Sequence, residues 1–447
     1  MEREPLEWVA KAVGGVIEDS AKNIIISGVA TDSRAADLSG KLFVPLKGKN
    51  ADGHQFISEA FSKNAAACLT EKDIGFGNAV KVKNSAKALK DLAAAYRSLL
   101  DVKTVAVTGS VGKTAVKDFT AAALSVRYKT LKTEGNFNNE IGLPLTIFRL
   151  DKSHEYAVLE MGMSGFGEIS ELSRVARPNV CVITNIGYSH IENLKSRDGI
   201  LRAKCEIFDY MDKTGKIILN GRDDMLSTLK KSVPSAMFYG DEIFISDVRP
   251  NGFESVSFVL CYKKDRIYIN LPYPGAHMAE NALAAAAVGV ACGLDFCEIK
   301  AGLEGASLTK MRMDVKKTPN GVTIINDAYN SSPASVKSAL SVLANADGRK
   351  VAVLGDMFEL GGYSDALHAE IGRLAAKSGA NEIIFVGKRV ARSFAEAARI
   401  FPNARYFSDK KDFILTLGSV VKKGDIVLVK ASRGMAFEEI ARALETL

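Results

Sequence analysis

Short apolar segments alternate with helical stretches through the middle of the chain. The clearest is Thr104–Thr108, a predicted buried strand that leads directly into a glycine-containing loop and then a helix through about Arg127. Further strands are predicted at Tyr156–Glu160, Val180–Asn185 and Lys216–Asn220, with helical stretches between them. This alternation predicts an α/β fold in which helices cover a mostly parallel sheet.

A similar alternation precedes this segment and restarts after it. Residues 1–99 combine short strands such as Lys41–Pro45 with an alanine-rich helical stretch from Asn84 to Leu100, which predicts a small α/β unit. After Thr309, strands alternating with helices are predicted at Val322–Asn326, Val351–Leu354, Glu382–Val386 and Ile426–Val429. We therefore predict three domains: a small N-terminal α/β domain (residues 1–99), a central P-loop-type domain (100–308) and a Rossmann-like C-terminal domain (309–447).

Composition agrees with a protein of several globular domains. A length of 447 residues corresponds to about three domains of roughly 150 residues each. Hydrophobic residues make up 47% and charged residues 25%, which excludes a disordered or collagen-like chain. The net charge is only +7, which favours phosphate-bearing small molecules over duplex nucleic acid as partners.

The cysteines and the N-terminus bear on where the protein acts. The six cysteines form no C-x-x-C pair and mostly lie in apolar segments, so we predict buried free thiols in a reducing compartment. Met1–Pro5 carries acidic residues where a signal peptide carries basic ones, and no apolar run of about 18 residues occurs. We expect a cytoplasmic monomer that binds neither membranes nor nucleic acid.

The loop after the first central strand carries the strongest chemical signal. Its glycines let backbone N–H groups approach a phosphate, and the start of the following helix attracts an anion. Lys113 and Thr114 can reach the terminal phosphates and a Mg²⁺ ion. The loop is shorter than the strict P-loop, which has glycine where this chain has Val107, and a simple glycine turn is the alternative. We predict that a nucleoside triphosphate binds Gly109, Ser110, Val111, Gly112, Lys113 and Thr114.

Two residues that follow central strands are candidate metal ligands. Glu160 ends an apolar strand, and ligands of open α/β sheets bind at the carboxyl ends of the strands, where Mg²⁺ needs carboxylate oxygens. A solvated acid at a strand end would fit the position equally well. His190 follows the strand Val180–Asn185, but a single histidine is more often structural.

These residues belong to an ordered series of motifs that covers nearly the whole chain. In the central domain the series comprises Thr108–Thr114, Gly135–Pro144, Glu160–Gly162, Thr184–Gly187 with His190, Ala203–Lys204 with Glu206, and Gly275–His277 with Asn281. The sequence resembles the Mur ligase family, the ATP-dependent amide ligases of peptidoglycan precursor synthesis. The resemblance implies three domains, ATP and two Mg²⁺ ions.

Within the family, the outer segments resemble the branch that adds D-alanyl-D-alanine to UDP-N-acetylmuramoyl tripeptide. The Asp-Asn-Pro-Arg run of the branch that adds the third residue is absent. Ser332 stands where the pattern usually has asparagine, and Ala431 where it usually has glycine. The segments that carry this resemblance are Thr31–Arg34 with Asp52–His54, Asn326–Asn330, Leu354–Gly361 with His368, and Lys430–Met435.

The resemblance also implies roles for the metal and phosphate ligands. Thr114 and Glu160 would hold a Mg²⁺ between the β and γ phosphates, and Lys113 would neutralise the transferred phosphoryl group. His190 would serve a second Mg²⁺ together with a carbamylated Lys204. The residues alone would instead leave Lys204 an ordinary exposed helical lysine.

Further roles concern the nucleotide and the other substrates. His277 and Asn281 lie one helical turn apart and would meet the adenine side, although a helix cap and a surface amide explain them equally well. Arg312 and Asp327 would reach the nucleotide from the C-terminal domain, or could be structural ion-pair members. The resemblance places the substrates, with the UDP end in the N-terminal domain, at Ser33, Arg34, Asp52, His54, Asn138, Asn139, Asn330 and Asp356. The turn around Asp52 could equally be plain loop chemistry.

The implied reaction joins two small molecules at the expense of ATP. The tripeptide carboxylate would attack the γ-phosphate, and the amine of D-alanyl-D-alanine would then displace phosphate from the acyl phosphate. One alternative is a related ligase, either the third-residue Mur ligase or a folylpolyglutamate synthase. Another is a P-loop nucleotide switch or transport ATPase, which has no use for a second metal held by a modified lysine.

Overall fold

The protein is described by a computed structural model over residues 1–48, 51–75, 78–309 and 313–447. Within these ranges the strands form sheets of two, four, nine and six strands. The two largest sheets are mostly parallel and alternate with helices, so the predicted α/β class is confirmed. The domain boundaries after residues 99 and 308 stay predictions.

The N-terminal part is a small α/β unit. Its alanine-rich stretch is helical as expected, and the Asn84 side chain caps that helix by accepting a hydrogen bond from the Lys87 N–H at 2.7 Å. Its strands are β1 (Glu4–Pro5) and β2 (Ile25–Ile26), which are antiparallel, and the parallel set β3 (Gly28–Ala30), β4 (Lys41–Phe43), β5 (Ala67–Thr70) and β6 (Ala79–Lys81). Its helices are α1 (Leu6–Val13), α2 (Ile57–Ser62) and α3 (Ser85–Ser98).

Within residues 78–309 a nine-stranded sheet forms the centre of the molecule, in the order β15-β14-β13-β12-β11-β10-β7-β9-β8. The strands are β7 (Lys103–Thr108), β8 (Thr130–Lys132), β9 (Tyr156–Glu160), β10 (Val180–Ile183), β11 (Lys216–Asn220), β12 (Met237–Tyr239), β13 (Ile243–Asn251), β14 (Ser255–Tyr262) and β15 (Asp265–Leu271). The helices are α4 (Lys113–Ser125), α5 (Gly142–Ile147), α6 (Glu168–Ala176), α7 (Ile191–Leu194), α8 (Arg197–Cys205), α9 (Ala276–Ala291) and α10 (Phe296–Glu304).

Burial on both faces explains why the central strands are continuous apolar runs. Successive side chains of a strand point to opposite faces. In β7, Val105 and Val107 pack into one hydrophobic cluster, whereas Ala106 packs into a second cluster on the other face. Polar and apolar residues therefore do not alternate along the run Thr104–Thr108, because neither face of the strand is exposed to solvent.

The far edge of this sheet differs from the sequence expectation. Strands β13, β14 and β15 pair antiparallel, whereas the strands around the phosphate loop are parallel. The connections from β13 to β14 and from β14 to β15 are short turns, as is typical of antiparallel hairpins. These three strands were not predicted from the sequence, and the predicted mostly parallel sheet is correct for the part that carries the loop.

Within residues 313–447 six strands form the C-terminal sheet, in the order β16-β17-β21-β18-β19-β20. All four predicted strands are present, and the antiparallel edge strand β16 was not foreseen. The strands are β16 (Asp314–Lys317), β17 (Thr323–Asn326), β18 (Lys350–Gly355), β19 (Glu382–Val386), β20 (Arg405–Phe407) and β21 (Ile426–Lys430). The helices are α11 (Pro333–Ala344), α12 (Ser364–Ala376), α13 (Ala391–Ala398), α14 (Lys410–Val420) and α15 (Glu438–Glu445).

The thiols and the helices bear on two sequence expectations. All six cysteines lie in the described residues and are free, as predicted. Cys68, Cys181 and Cys261 are buried, Cys205 and Cys292 are partly buried, and Cys297, in the first turn of α10, is exposed. No helix in the described ranges has the length and apolar character that crossing a membrane requires.

Helices α4 and α10 approach each other at a glycine, which generates a stability prediction. A Cβ at Gly302 would lie 2.3 Å from the Ala123 Cα, so the helices would have to separate. We expect Gly302→Ala to lower the free energy of unfolding by about 1–3 kcal/mol, although alanine is intrinsically the better helix former. Urea unfolding measures this change.

The matched control is Gly362→Ala, because a Cβ there meets no atom within 4 Å and the residue does not have a positive φ. We expect its effect to stay within about 0.5 kcal/mol. Equal urea midpoints for Gly302→Ala and the unchanged protein would contradict the close approach of the two helices.

Candidate active site

A cavity of about 690 Å³ lies at the carboxyl edge of the central sheet and extends to the C-terminal unit. Strands β7, β9 and β10 end beside it, as expected for ligand sites of open α/β sheets. The predicted site residues that line it are Ser110, Val111, Gly112, Lys113, Thr114, Asn138, Asn139, Glu160, His190, His277, Asn281, Asp327 and Asn330. Arg312 lies outside the described residues.

Two glycines of the loop occupy positions that no other residue fits. Gly109 has φ +152° and Gly112 has φ +84°, both unfavourable for residues with a Cβ. A Cβ at Gly109 would lie 1.9 Å from the Thr184 Oγ1, and one at Gly112 would lie 2.5 Å from the Asn281 Oδ1. Both the backbone conformation and the lack of space therefore require glycine.

Hydrogen bonds from the end of β10 hold the loop in place. The Val111 carbonyl oxygen accepts from the Thr184 hydroxyl at 2.6 Å and from the Asn185 amide at 3.0 Å. The Val111 N–H donates back to the Asn185 Oδ1 at 2.9 Å, and the Ser110 Oγ accepts from the Gly187 N–H at 2.8 Å. The loop is thus ordered by the protein itself, and helix α4 begins directly after it with its N-terminus at the cavity.

Glu160 has the environment of a cation ligand. It is 1% exposed, and its Oε1 accepts a hydrogen bond from the Asn138 amide at 2.8 Å. Its Oε2 is buried, and no residue within the described ranges gives it a hydrogen-bond partner. Such an oxygen is costly unless a bound group satisfies it, and a hard divalent cation does so. Thr114, 2% exposed, lines the same cavity.

Lys204 is buried rather than exposed. It lies on α8 with only 1% of its surface accessible, so the residue-based expectation of an ordinary exposed lysine is wrong. Burial, reinforced by the ammonium of Lys113, lowers the pKa of Lys204 well below its ordinary value. The lowered pKa makes the neutral amine of Lys204 easier to form than that of an exposed lysine, although Lys204 does not itself line the cavity.

His190 lies where the central and C-terminal units meet. It adopts φ +63°, and its Nδ1 is 2.5 Å from the Glu359 Oε2, without the geometry of a good hydrogen bond. This polar contact lowers the pKa of the Glu359 carboxyl. Glu359 also lines the cavity, so the site receives an acidic group from the C-terminal unit that the sequence analysis did not single out.

Two strand ends contribute charged groups from the C-terminal sheet. Asp327 follows β17, and Lys430 is the last residue of β21, 1% exposed. The Lys430 ammonium donates to the Asp327 carboxylate and, at 3.0 Å, to the Asn330 carbonyl oxygen. Sequence reasoning missed Lys430 as a site residue, although it ends an apolar strand just as Glu160 does.

His277 opens helix α9 at the opposite wall of the cavity. Burial lowers its pKa to about 4, with a further lowering by Lys430 and an opposing effect of Asp327. The imidazole is therefore neutral at neutral pH and can accept or donate hydrogen bonds without carrying charge.

The remaining predicted residues lie away from this cavity or have structural partners. Asn139 lines it, but its Oδ1 accepts from the N–H groups of Ile141 and Gly142 at the start of α5. Ser33, Arg34, Asp52 and His54 belong to the N-terminal unit and pair locally; the Asp52 carboxylate caps the turn by accepting from the His54 N–H at 3.0 Å. Asp356 is buried, and its Oδ1 accepts two backbone hydrogen bonds at 2.8 Å, from Arg389 and Val390.

The comparisons with known proteins bear on this site. Residues 107–289 match the Mur ligase middle domain, and residues 311–433 match the domain described as Mur ligase, glutamate ligase domain. A UDP-N-acetylmuramoyl-tripeptide--D-alanyl-D-alanine ligase from Bacillus subtilis (strain 168) is 37% identical over 99% of both chains. The chain belongs to the Mur ligase family. The resemblance identified from the sequence motifs is thus confirmed.

Solved structures of the Mur ligase family share the whole architecture. A crystal structure of MurF from Acinetobacter baumannii matches with a TM-score of 0.93 and 30% identity, covering 100% of both chains. The MurF ligase from Thermotoga maritima, solved in complex with ADP, matches with a TM-score of 0.82 and 28% identity over 94% of this chain and 97% of that one.

The burial of His277 in this Mur ligase generates a prediction about pH. We expect its imidazole to titrate near pH 4, whereas a histidine in an unfolded chain titrates near 6.5. Between these values the unfolded state binds a proton that the folded state does not. The contribution of this residue to stability is thus present above about pH 6.5 and is lost as the pH falls toward 4.

NMR titration of the ring resonances of the five histidines measures this pKa, and His277→Gln assigns the relevant signal. A His277 resonance that titrates close to 6.5 would show that the ring is solvated and would contradict the assigned environment.

Proposed function

We propose that the protein is an ATP-dependent ligase that joins D-alanyl-D-alanine to UDP-N-acetylmuramoyl-tripeptide in peptidoglycan precursor synthesis. The observation that carries the proposal is the full-length relation to a ligase of that name, 37% identical over 99% of the chain, together with a phosphate loop facing a cavity shared by two units. The ligand of the MurF–ADP structure supports ATP as the nucleotide.

The chain supplies positive and dipolar groups where the phosphates would lie. The loop N–H groups and the N-terminus of α4 bind phosphate oxygens, and the Lys113 ammonium stabilises the charge that grows on the transferred phosphoryl group. His277 and Asn281 of α9 would contact the nucleotide, and Asp327 lines the same cavity from the C-terminal unit. Arg312, which lies outside the described residues, is assigned the same role by the family resemblance alone.

Glu160 and Thr114 fit a Mg²⁺ ion beside these phosphates, because they offer an unpaired buried carboxylate oxygen and a hydroxyl in one cavity. When bound, Mg²⁺ neutralises the repulsion between the substrate carboxylate and the triphosphate. A second ion would be held by His190 and a carbamylated Lys204. Carbamylation requires the neutral amine that the lowered pKa of Lys204 provides, and it converts a cation into an anionic oxygen ligand.

The reaction begins when the tripeptide carboxylate attacks the γ-phosphorus of ATP, which forms an acyl phosphate and releases ADP. The amine of D-alanyl-D-alanine then attacks the acyl carbon, phosphate leaves and the amine loses a proton. The cavity between two units would exclude water, which otherwise hydrolyses the acyl phosphate.

The family resemblance also suggests how the domains divide the substrates. Domains at residues 1–99, 100–308 and 309–447 would bind UDP, ATP and the amine. The UDP end would contact Ser33, Arg34, Asp52 and His54. The remaining parts of the substrates would contact Asn138, Asn139, Asn330 and Asp356. We propose a cytoplasmic monomer, and the free thiols support a reducing compartment.

A product assay tests this function. We expect amide formation only when ATP, Mg²⁺, UDP-linked tripeptide and D-alanyl-D-alanine are all present, because the carboxylate and the amine each take part in bond making. Mass spectrometry detects the product, and N-acetylated D-alanyl-D-alanine, which lacks the nucleophile, is the matched control. Rapid ATP hydrolysis with neither substrate and no amide with both would identify a nucleotide switch instead. Amide formation with a different amine would identify a related ligase.

Variants of Lys204 test the proposed carbamate. We expect Lys204→Ala to lower kcat by at least about a hundredfold, and Lys204→Arg to fail as badly because it keeps the charge and cannot be carbamylated. Formate or acetate should restore part of the activity of the alanine variant by supplying an oxygen ligand. The exposed lysine variant Lys213→Ala, nine residues further along, is the control and should behave like the unchanged protein.

A readout independent of activity is the NMR signal of a carbamate formed from isotope-labelled bicarbonate, present in the unchanged protein and absent from Lys204→Arg. An active arginine variant together with no carbamate signal would remove Lys204 from the site.

A further inference from the structure

A second charged cluster lies on the phosphate-binding helix, outside the groups used above. Lys117 and Asp118 of α4 both have fully buried side chains, and the Lys117 Nζ lies 3.1 Å from the Asp118 Oδ1. Lys132, at the end of β8, donates to the same oxygen at 2.6 Å. Lys132 is partly exposed, but burying the charges of Lys117 and Asp118 completely is expensive, so the pair is expected to have a structural or functional role.

The second carboxylate oxygen of Asp118 holds the end of the central unit. Its Oδ2 accepts hydrogen bonds from the backbone N–H and from the hydroxyl of Thr309, both at 2.9 Å. Burial alone would raise the pKa of Asp118, but Lys117, Lys132 and the Thr309 N–H hold it below its ordinary value. The acceptor is therefore a carboxylate anion, whose hydrogen bonds are stronger than those of neutral groups.

The cluster also connects to the strand end that carries Glu160. The Lys117 ammonium donates to the Thr133 carbonyl oxygen at 2.8 Å, and the Thr133 hydroxyl accepts from the Glu160 N–H at 3.1 Å. Helix α4 itself begins at Lys113, the residue that faces the phosphates. Hydrogen bonds thus connect Thr309 to α4 and, through Lys117 and Thr133, to the end of β9, the two elements that carry Lys113 and Glu160.

Thr309 is the last described residue before the segment that leads to the C-terminal unit. On the far side of that segment, the Met313 N–H donates to the Asp327 Oδ1 at 3.4 Å. Asp118, Thr309, Met313 and Asp327 all line the cavity. Both ends of the connection are therefore held by aspartates that belong to the walls of the site.

We propose that Asp118 is a positioning residue for ligation: by holding Thr309 against the phosphate-binding helix, it sets where the chain leaves for the C-terminal unit. Asp327 and Lys430, which this unit contributes to the cavity, are then correctly placed relative to the phosphate loop. The inference rests on the proposed ligase function. It assigns Asp118 no contact with the reacting atoms.

Substitutions at Thr309 test the hydrogen bonds between Asp118 and Thr309 without removing a buried charge. Thr309→Val deletes the hydroxyl donor, and we expect kcat to fall by about tenfold or more, because small displacements of positioning groups cost that much. The affinity for ADP with Mg²⁺, measured by calorimetry, and KM for ATP should stay within about twofold, since the loop is untouched. Thr309→Ser keeps the donor and should restore kcat. The control is Ser307→Ala, two residues earlier, where the residue is exposed.

Asp118→Asn should lower kcat further, with its folding checked by thermal unfolding; if it does not fold, the Thr309 series alone decides. A Thr309→Val kcat within twofold of the unchanged protein would overturn the proposal. So would a serine variant as impaired as the valine variant, or a loss of ADP affinity that matches the loss of kcat. Each kcat is measured with the amine that the unchanged protein accepts. A wrong assignment of D-alanyl-D-alanine is therefore detected separately, by the product assay.

Discussion

The site depends on one tight contact, the packing of the phosphate loop against the end of β10 and the start of α9. Thr184 and Asn281 occupy the space that side chains at Gly109 and Gly112 would need, so the loop can approach them only as bare backbone. The same contact fixes where α4 begins, and with it Lys113 and Thr114. A side chain at Gly109 would force apart the loop and the residues after β10, and one at Gly112 would force apart the loop and α9, so the groups on both sides of each contact would shift.

Local pattern was sufficient to predict the strands that form the site. The run Thr104–Thr108 is apolar without alternation because both faces of β7 are buried, and such a strand at the centre of a parallel sheet delivers its following loop to the ligand edge. The same argument placed Glu160 correctly at that edge. The strands β13–β15 were not predicted because they do not follow the strand–helix alternation of the parallel part. They form consecutive antiparallel hairpins at one edge of the sheet.

The rest of the site could not be predicted because it depends on which distant residues surround a side chain. Lys204 lies on a helix of low hydrophobicity, and nothing within its own helix signals that it is buried beside Lys113, ninety-one positions earlier. Asp118 likewise has the sequence context of a surface helix residue, yet its partner Thr309 is 191 positions away. Lysine and aspartate are normally exposed, so only the tertiary structure identifies the exceptions.

The charges that the fold buries around the loop are complementary to what the proposed substrates bring. Burial and the nearby Lys113 ammonium both disfavour a positive charge on Lys204, and the α4 N-terminus adds positive potential at this end of the cavity. A triphosphate would relieve the repulsion between these positive groups, as would the proposed carbamate at Lys204, and a cation in the same cavity would satisfy the Glu160 Oε2. Each of these groups is unfavourable alone and becomes favourable when its partners bind. The unfavourable electrostatic free energy of these buried groups is therefore offset only when ligands bind. This favours binding of a polyanion together with a divalent cation over binding of either one alone.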